Sequence, residues 1–166
     1  EGQVGAHYLL TLLAEADARG LPGAKIDCVE LQRAGEGHPL DDVIVRATLP
    51  TGDAAVLEIQ VKRTVKFTAS NSVFKDVVEQ LAQAYRKLDL SNTRHLFAVA
   101  IERTSFKIDG AYQDVLRWAR EVGSASIFID RINRKKVGNE DMRTFVSTVR
   151  TYLGSVGCDN NDEAVW

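Results

Sequence analysis

From His38 to Arg63 the chain reads H-P-L-D-D-V-I-V-R-A-T-L-P-T-G-D-A-A-V-L-E-I-Q-V-K-R, two strand-like runs around one turn. L-P-T-G-D suits a three-residue loop, Pro50-Thr51-Gly52. Proline fits the second position of a type I turn, and glycine supplies the left-handed residue of the adjoining bulge. Leu49 then pairs with Asp53, and Asp42 falls opposite Gln60. Strand side chains alternate between faces. Glu58, Gln60 and Lys62 therefore share one face, and Leu57, Ile59 and Val61 the other. Val43, Val45, Ala47 and Leu49 supply the matching apolar face. Asp42, Arg46 and Thr48, with Ile44, lie opposite. A shorter or longer loop would pair Asp41 with Lys62 and turn Asp42 toward the core. The chosen register is the one that agrees with both strands.

The hairpin fixes the class of the rest. Residues 4–19 carry Val4, Tyr8, Leu12, Leu13 and Ala16 at helical spacing, with Gly20 as a stop. Residues 25–31 read as a short strand. Residues 72–89 read as a helix with Val73, Val77, Leu81, Ala84 and Leu88 on one face. Residues 94–102 and 125–130 are nearly continuous apolar runs, the pattern of strands buried on both faces. A helix over 111–122 carries Trp118. Asn139 caps a last helix whose stripe is Met142, Phe145, Val146, Val149, Tyr152 and Leu153. The expected order is α-β-β-β-α-β-α-β-α, a mixed sheet flanked by helices and so an α/β fold. One domain is expected over 1–154. Residues 155–166 read as a disordered tail or a linker to a further domain.

Composition narrows the setting. Hydrophobic residues are 45% and charged residues 27% of the 166, an ordinary globular mix. No apolar run approaches the roughly 20 residues of a membrane helix. The start E-G-Q-V-G-A-H-Y-L-L lacks a methionine and a basic stretch. No signal peptide is expected, and the chain reads as a piece of a larger protein. Cys28 and Cys158 fit neither a metal spacing nor a disulfide framework, which suggests a reducing, cytoplasmic location. The formal net charge of −2 argues against a broadly basic nucleic-acid binder but allows local patches. No phosphate-binding glycine loop and no nucleophile elbow is present. His7, His38 and His95 are scattered and make no zinc pattern.

The polar face of the hairpin is the candidate for chemistry. It sets Asp42 against Gln60, with Glu58 and Lys62 each about 7 Å away along the strand. Carboxylate and amide oxygens suit Mg²⁺, which takes hard oxygen ligands and retains several waters. A metal held there polarises a phosphoryl oxygen and lowers the pKa of a bound water. A lysine beside it neutralises developing negative charge. Taken alone, E-I-Q-V-K also fits an amphipathic strand with a wet polar face. An aspartate entering one strand and Q-x-K in register on the next is the more specific combination.

At these residues the sequence resembles the PD-(D/E)xK nuclease superfamily. Pro39 and Asp42 in P-L-D-D-V-I-V and Gln60-Val61-Lys62 in E-I-Q-V-K-R carry the likeness. The glutamine form is similar to Mrr-type restriction nucleases and to the Cap4-like (DUF4297) endonuclease domains of bacterial antiphage proteins. The likeness is specific over residues 39–63 and elsewhere rests on element order. It implies a restriction-endonuclease-like fold and a Mg²⁺- or Mn²⁺-dependent endonuclease acting on double-stranded DNA. Asp42 would be a metal ligand, Lys62 the catalytic lysine and Gln60 the replacement for the usual acid. The Val61 carbonyl would add an oxygen. Glu58, Glu30 or Glu15 would complete the site. The proline-to-aspartate spacing is wider than in the family. Gln80 and Tyr85 are five apart where RecB-like relatives have four. The likeness further implies a sensor domain in the same polypeptide and activation by oligomerisation. Two rivals stand beside this reading: a nuclease fold that has lost catalysis, and a ribonuclease or other phosphodiesterase.

Phosphate contacts are expected from Lys62, Arg63 and Lys66 at the end of the second strand. The densest basic stretch, R-I-N-R-K-K at 131–136, is expected in a loop that carries Arg134, Lys135 and Lys136 to the DNA backbone.

Overall fold

The computed structural model describes residues 1–33, 38–87 and 93–166. Its elements run α1 (Gly2–Leu13), β1 (Lys25–Leu31), β2 (Val43–Thr48), β3 (Ala54–Lys62), α2 (Ser72–Arg86) and β4 (Thr93–Ile101). A π-helical turn (Ile108–Tyr112), α3 (Gln113–Glu121), α4 (Ala125–Asn133), α5 (Glu140–Ser155) and α6 (Asp162–Val165) follow. The fold is α/β, with a four-stranded mixed sheet in the order β1-β2-β3-β4 and flanking helices. β1-β2 and β2-β3 are antiparallel, and β3-β4 is parallel.

The hairpin has the register its turn chemistry dictates. Val43 pairs with Ile59, Ile44 with Glu58 and Thr48 with Ala54. Leu49 N donates to Asp53 O at 2.9 Å and Gly52 N to Leu49 O at 2.8 Å. Gly52 sits at φ +88°, which a residue with a Cβ adopts only at a cost.

The chain divides into two compact units: Glu1–Arg63 with Gln83–Glu102, and Thr64–Ala82 with Arg103–Trp166. The first holds the whole sheet. Val43, Val45, Ala47, Ala55, Leu57 and Ile59 meet Tyr8, Leu21 and Ile26 in its core. Ile44, Val56, Glu58 and Gln60, on the opposite face of the hairpin, are buried as well. A wet polar face for E-I-Q-V-K is thereby ruled out.

The second unit is built around aromatic rings. Phe67 meets Phe74, Tyr112 and Phe145 edge-on, at centroid distances of 4.8, 5.1 and 5.3 Å. Tyr152 closes the cluster against Phe74, and its hydroxyl donates to Thr68 O and Asn71 O. Asn139 caps α5, its Oδ1 accepting from Met142 N at 2.9 Å.

Four expectations are corrected. Residues 125–130 form no fifth strand; they open α4. Ser124 caps it, and Ala125, Phe128 and Ile132 are its buried positions, three and four residues apart. A short apolar run fits either element, and here the cap and the continuation to Ile132 decide. α1 ends at Leu13, well before Gly20, because Glu15 turns left-handed at φ +52°. Glu15 is thus beyond the helix that was to carry it. The basic stretch 131–136 begins inside α4. The tail is ordered in part: α6 packs on α4 and α5, Asp162 pairs with Arg150, and Trp166 Nε1 donates to Ala119 O at 2.8 Å. The expected end of the second helix, 88–89, lies outside the described residues. Among the described residues, no helix is long and apolar enough to cross a membrane.

Candidate active site

Asp42 ends the loop before β2, one residue ahead of the pair Val43–Ile59, so the ladder brings it face to face with Gln60. Asp42 is buried, and its Oδ2 accepts from Gln60 Nε2 at 2.5 Å and from Val61 N at 2.6 Å. The N–H and C=O of one strand residue leave on the same side of the strand. The Val61 carbonyl therefore points to the Asp42 side of β3. Lys62, two residues past Gln60 on the same face, is partly exposed. Its side chain makes no hydrogen bond or ion pair among the described residues, and its charge acts on Asp42.

Burial pushes the Asp42 carboxyl above its usual range. The Val61 N–H pulls it down, the Glu1 carboxylate pushes it up and the Lys62 ammonium pulls it down, with a net rise. A buried carboxylate in that position gains from a cation. Gln60 is also buried, and its Oε1 has no hydrogen-bond partner. One carboxylate, an unsatisfied amide oxygen and a backbone carbonyl are hard oxygen donors of the kind Mg²⁺ or Mn²⁺ takes. These residues fit such an ion, which would supply Lewis-acid activation of a phosphoryl oxygen. Among the described residues, no group of three His, Cys, Asp or Glu side chains is arranged to hold a metal. A cation at Asp42 would thus lean on neutral oxygens and water.

The other expected carboxylates are engaged elsewhere. Glu58 Oε1 accepts from His38 Nδ1 and His95 Nε2, both at 2.9 Å. Its Oε2 is buried without a partner. Burial pushes the Glu58 carboxyl up, but the bonds from His95 and His38 pull harder and its pKa falls below the ordinary value. Glu30 pairs with Arg46 and Arg33, and those guanidinium groups hold its carboxyl low. Glu15 is exposed, and its bonds are made by its backbone, the N–H donating to Leu12 O and the oxygen accepting from Lys25 Nζ.

Two features are not legible in the sequence. His38 and His95 are not scattered: β4 pairs in parallel with β3, His95 opposite Val56, and so lies on the face of Glu58. Glu1, whose Oε2 accepts from Gln32 Nε2 at 3.1 Å, contributes to the rise at Asp42. Periodicity does not reveal the meeting of residues so far apart in the chain.

The cations expected at DNA fall in both units. Lys62 and Arg63 belong to the first, and Arg63 lies 3.7 Å from Glu102. Lys66, Arg134, Lys135 and Lys136 belong to the second. The last three are exposed in the turn after α4, while Arg131 lies over the Trp118 ring at 4.3 Å. Gln80 is half-buried with its Oε1 unpartnered, and Tyr85 is 66% exposed. Comparison with protein-family models, with curated proteins and with solved structures finds no match.

Proposed function

We propose that the chain is a metal-dependent endodeoxyribonuclease domain that hydrolyses phosphodiester bonds of double-stranded DNA. The observation that carries the reading is the buried Asp42 carboxylate, bonded to Gln60 and Val61 N, with the Lys62 ammonium acting on it. Asp42, the Gln60 amide oxygen and the Val61 carbonyl would hold Mg²⁺ or Mn²⁺. Lys62 would orient the attacking water and offset charge on the phosphoryl group. The likeness over residues 39–63 extends the proposal. The domain would be the effector of a bacterial antiphage protein, gated when a sensor domain of the same polypeptide drives oligomerisation.

One observation favours a second reading, a nuclease fold kept for binding. Gln60 already satisfies Asp42 from within, as a site that no longer takes metal would. Plasmid cleavage with Mg²⁺ and Mn²⁺ separates the two. The wild-type chain is compared with Asp42→Ala and Lys62→Ala at high protein concentration. Metal-dependent cutting abolished in both variants supports the nuclease. Cutting that survives both sinks the site assignment. Thermal unfolding with Mn²⁺ adds a readout that needs no turnover. At a hundred times its dissociation constant the ion stabilises the wild type by about 2.7 kcal/mol and leaves Asp42→Ala unmoved. Equal shifts in the two would place the ion elsewhere.

A further inference from the structure

The second unit has a cleft of about 320 Å³ that the Asp42 chemistry does not use. Its walls are the segments 64–68 and 103–108, and its apolar base includes Ile108 and Tyr112, both buried. The rim is cationic and hydroxylated, with Lys66 and Arg103 from separate walls beside Thr64, Thr104 and Ser105. Among the described residues, no carboxylate lines it. Lys107 also lines it, but its ammonium is spent on Asp141 at 2.6 Å. The side chains of Lys66 and Arg103 make no hydrogen bond or ion pair among the described residues. Two uncompensated cations with hydroxyl donors and no opposing acid favour a phosphate group.

Phe106 refines the ligand. It is 94% exposed, the most exposed large apolar side chain of the described residues. An isolated exposed apolar residue is ordinary. This one lies between Ser105 and Lys107, both of which line the cleft. Phe106 is outside the lining itself but belongs to the wall segment 103–108 that carries Arg103, and an exposed aromatic ring in the same segment as an unpaired cation is a combination that single-stranded nucleic acid uses. Bases stack on the ring while the cations follow the backbone.

We propose that this cleft binds a single-stranded nucleic-acid segment, with phosphates at Lys66 and Arg103 and one base stacked on Phe106. The proposal rests on the nucleic-acid reading above for the class of partner but not on cleavage. The experiment separates the two failures. Labelled oligo-dT and oligo-U are titrated by fluorescence anisotropy with the full chain in EDTA, where a metal-dependent nuclease is silent. Both are expected to bind, because neither the stack nor the phosphate pairing requires a particular sugar. Phe106→Ala weakens binding about 5- to 150-fold. Phe106→Trp restores it, and oligonucleotide quenches the new indole. Lys66→Ala with Arg103→Ala lowers the slope of log affinity against log salt by about 1.4, or roughly 0.7 for each phosphate no longer neutralised.

Absence of single-strand binding at low salt overturns the proposal. So does undiminished binding by Phe106→Ala, or binding of the mononucleotide dTMP without the oligonucleotide. Plasmid cutting that survives Asp42→Ala and Lys62→Ala, beside intact oligonucleotide binding, removes the Asp42 site and leaves the cleft assigned.

Discussion

Glu58→Gln isolates the buried carboxylate that two imidazoles hold. In the wild type, Oε1 takes bonds from His38 Nδ1 and His95 Nε2 at 2.9 Å each, while Oε2 is buried and bare. A hydrogen bond to a charged group contributes about 1.5–3 kcal/mol and a neutral one about 0.5–1.5. The amide oxygen of glutamine can accept both, so the substitution weakens each bond by about 1 kcal/mol. Two terms oppose this loss. A buried charge is removed, which recovers part of its desolvation cost. The two rings are 21% and 16% exposed, so water competes for their N–H groups. The net is a destabilisation of about 1–2 kcal/mol at neutral pH. At about 2–4 °C per kcal/mol for a chain of this length, Tm falls by about 2–8 °C.

The pH dependence of that gap has a definite sign. Burial raises the Glu58 carboxyl, the bonds from His95 and His38 lower it, and its folded pKa lies below the ordinary 4.5. A carboxyl depressed by folding stabilises above its unfolded value, and that stability is lost as pH falls through the folded value. The gap between wild type and Glu58→Gln is therefore full at neutral pH. It begins to close near pH 4.5 and vanishes at lower pH. Urea unfolding across this range is the assay. A variant as stable as the wild type at neutral pH, or a gap that does not change with pH, refutes the reasoning.

Two further outcomes follow from the fold. Gly52→Ala should cost about 1 kcal/mol by urea unfolding, because the residue sits at φ +88° with open space around it, so the penalty is conformational and not a clash. Replacing Arg134, Lys135 and Lys136 together by alanine leaves stability nearly unchanged, since all three are exposed. If they touch duplex backbone, the same change weakens DNA binding and reduces its salt slope by about 0.9 for each phosphate no longer neutralised. An unchanged slope removes the turn after α4 from the DNA-binding surface.

What the sequence alone determined is local. L-P-T-G-D fixed the hairpin loop, and alternation on both strands agreed with that loop, so Asp42 against Gln60 is legible in the chain itself. The strand 25–31 and the Asn139 cap were legible for the same reason, since cap chemistry and period act over a few residues. Residues 125–130 were not, because six apolar-rich residues satisfy a buried strand and a helical turn alike. The Ser124 cap favours the helix locally, but their state depended on Phe128 and Ile132 finding buried places in the second unit. The burial of Glu58 and its capture by His38 and His95 belong wholly to tertiary structure. His95 reaches Glu58 only because β4 pairs in parallel with β3, and a strand's own pattern does not specify which neighbour it takes. The same holds for the cleft, which Lys66 and Arg103, 37 positions apart in the chain, both line. Local chemistry set which side chains share a face of the hairpin; long-range pairing set which charges they meet there.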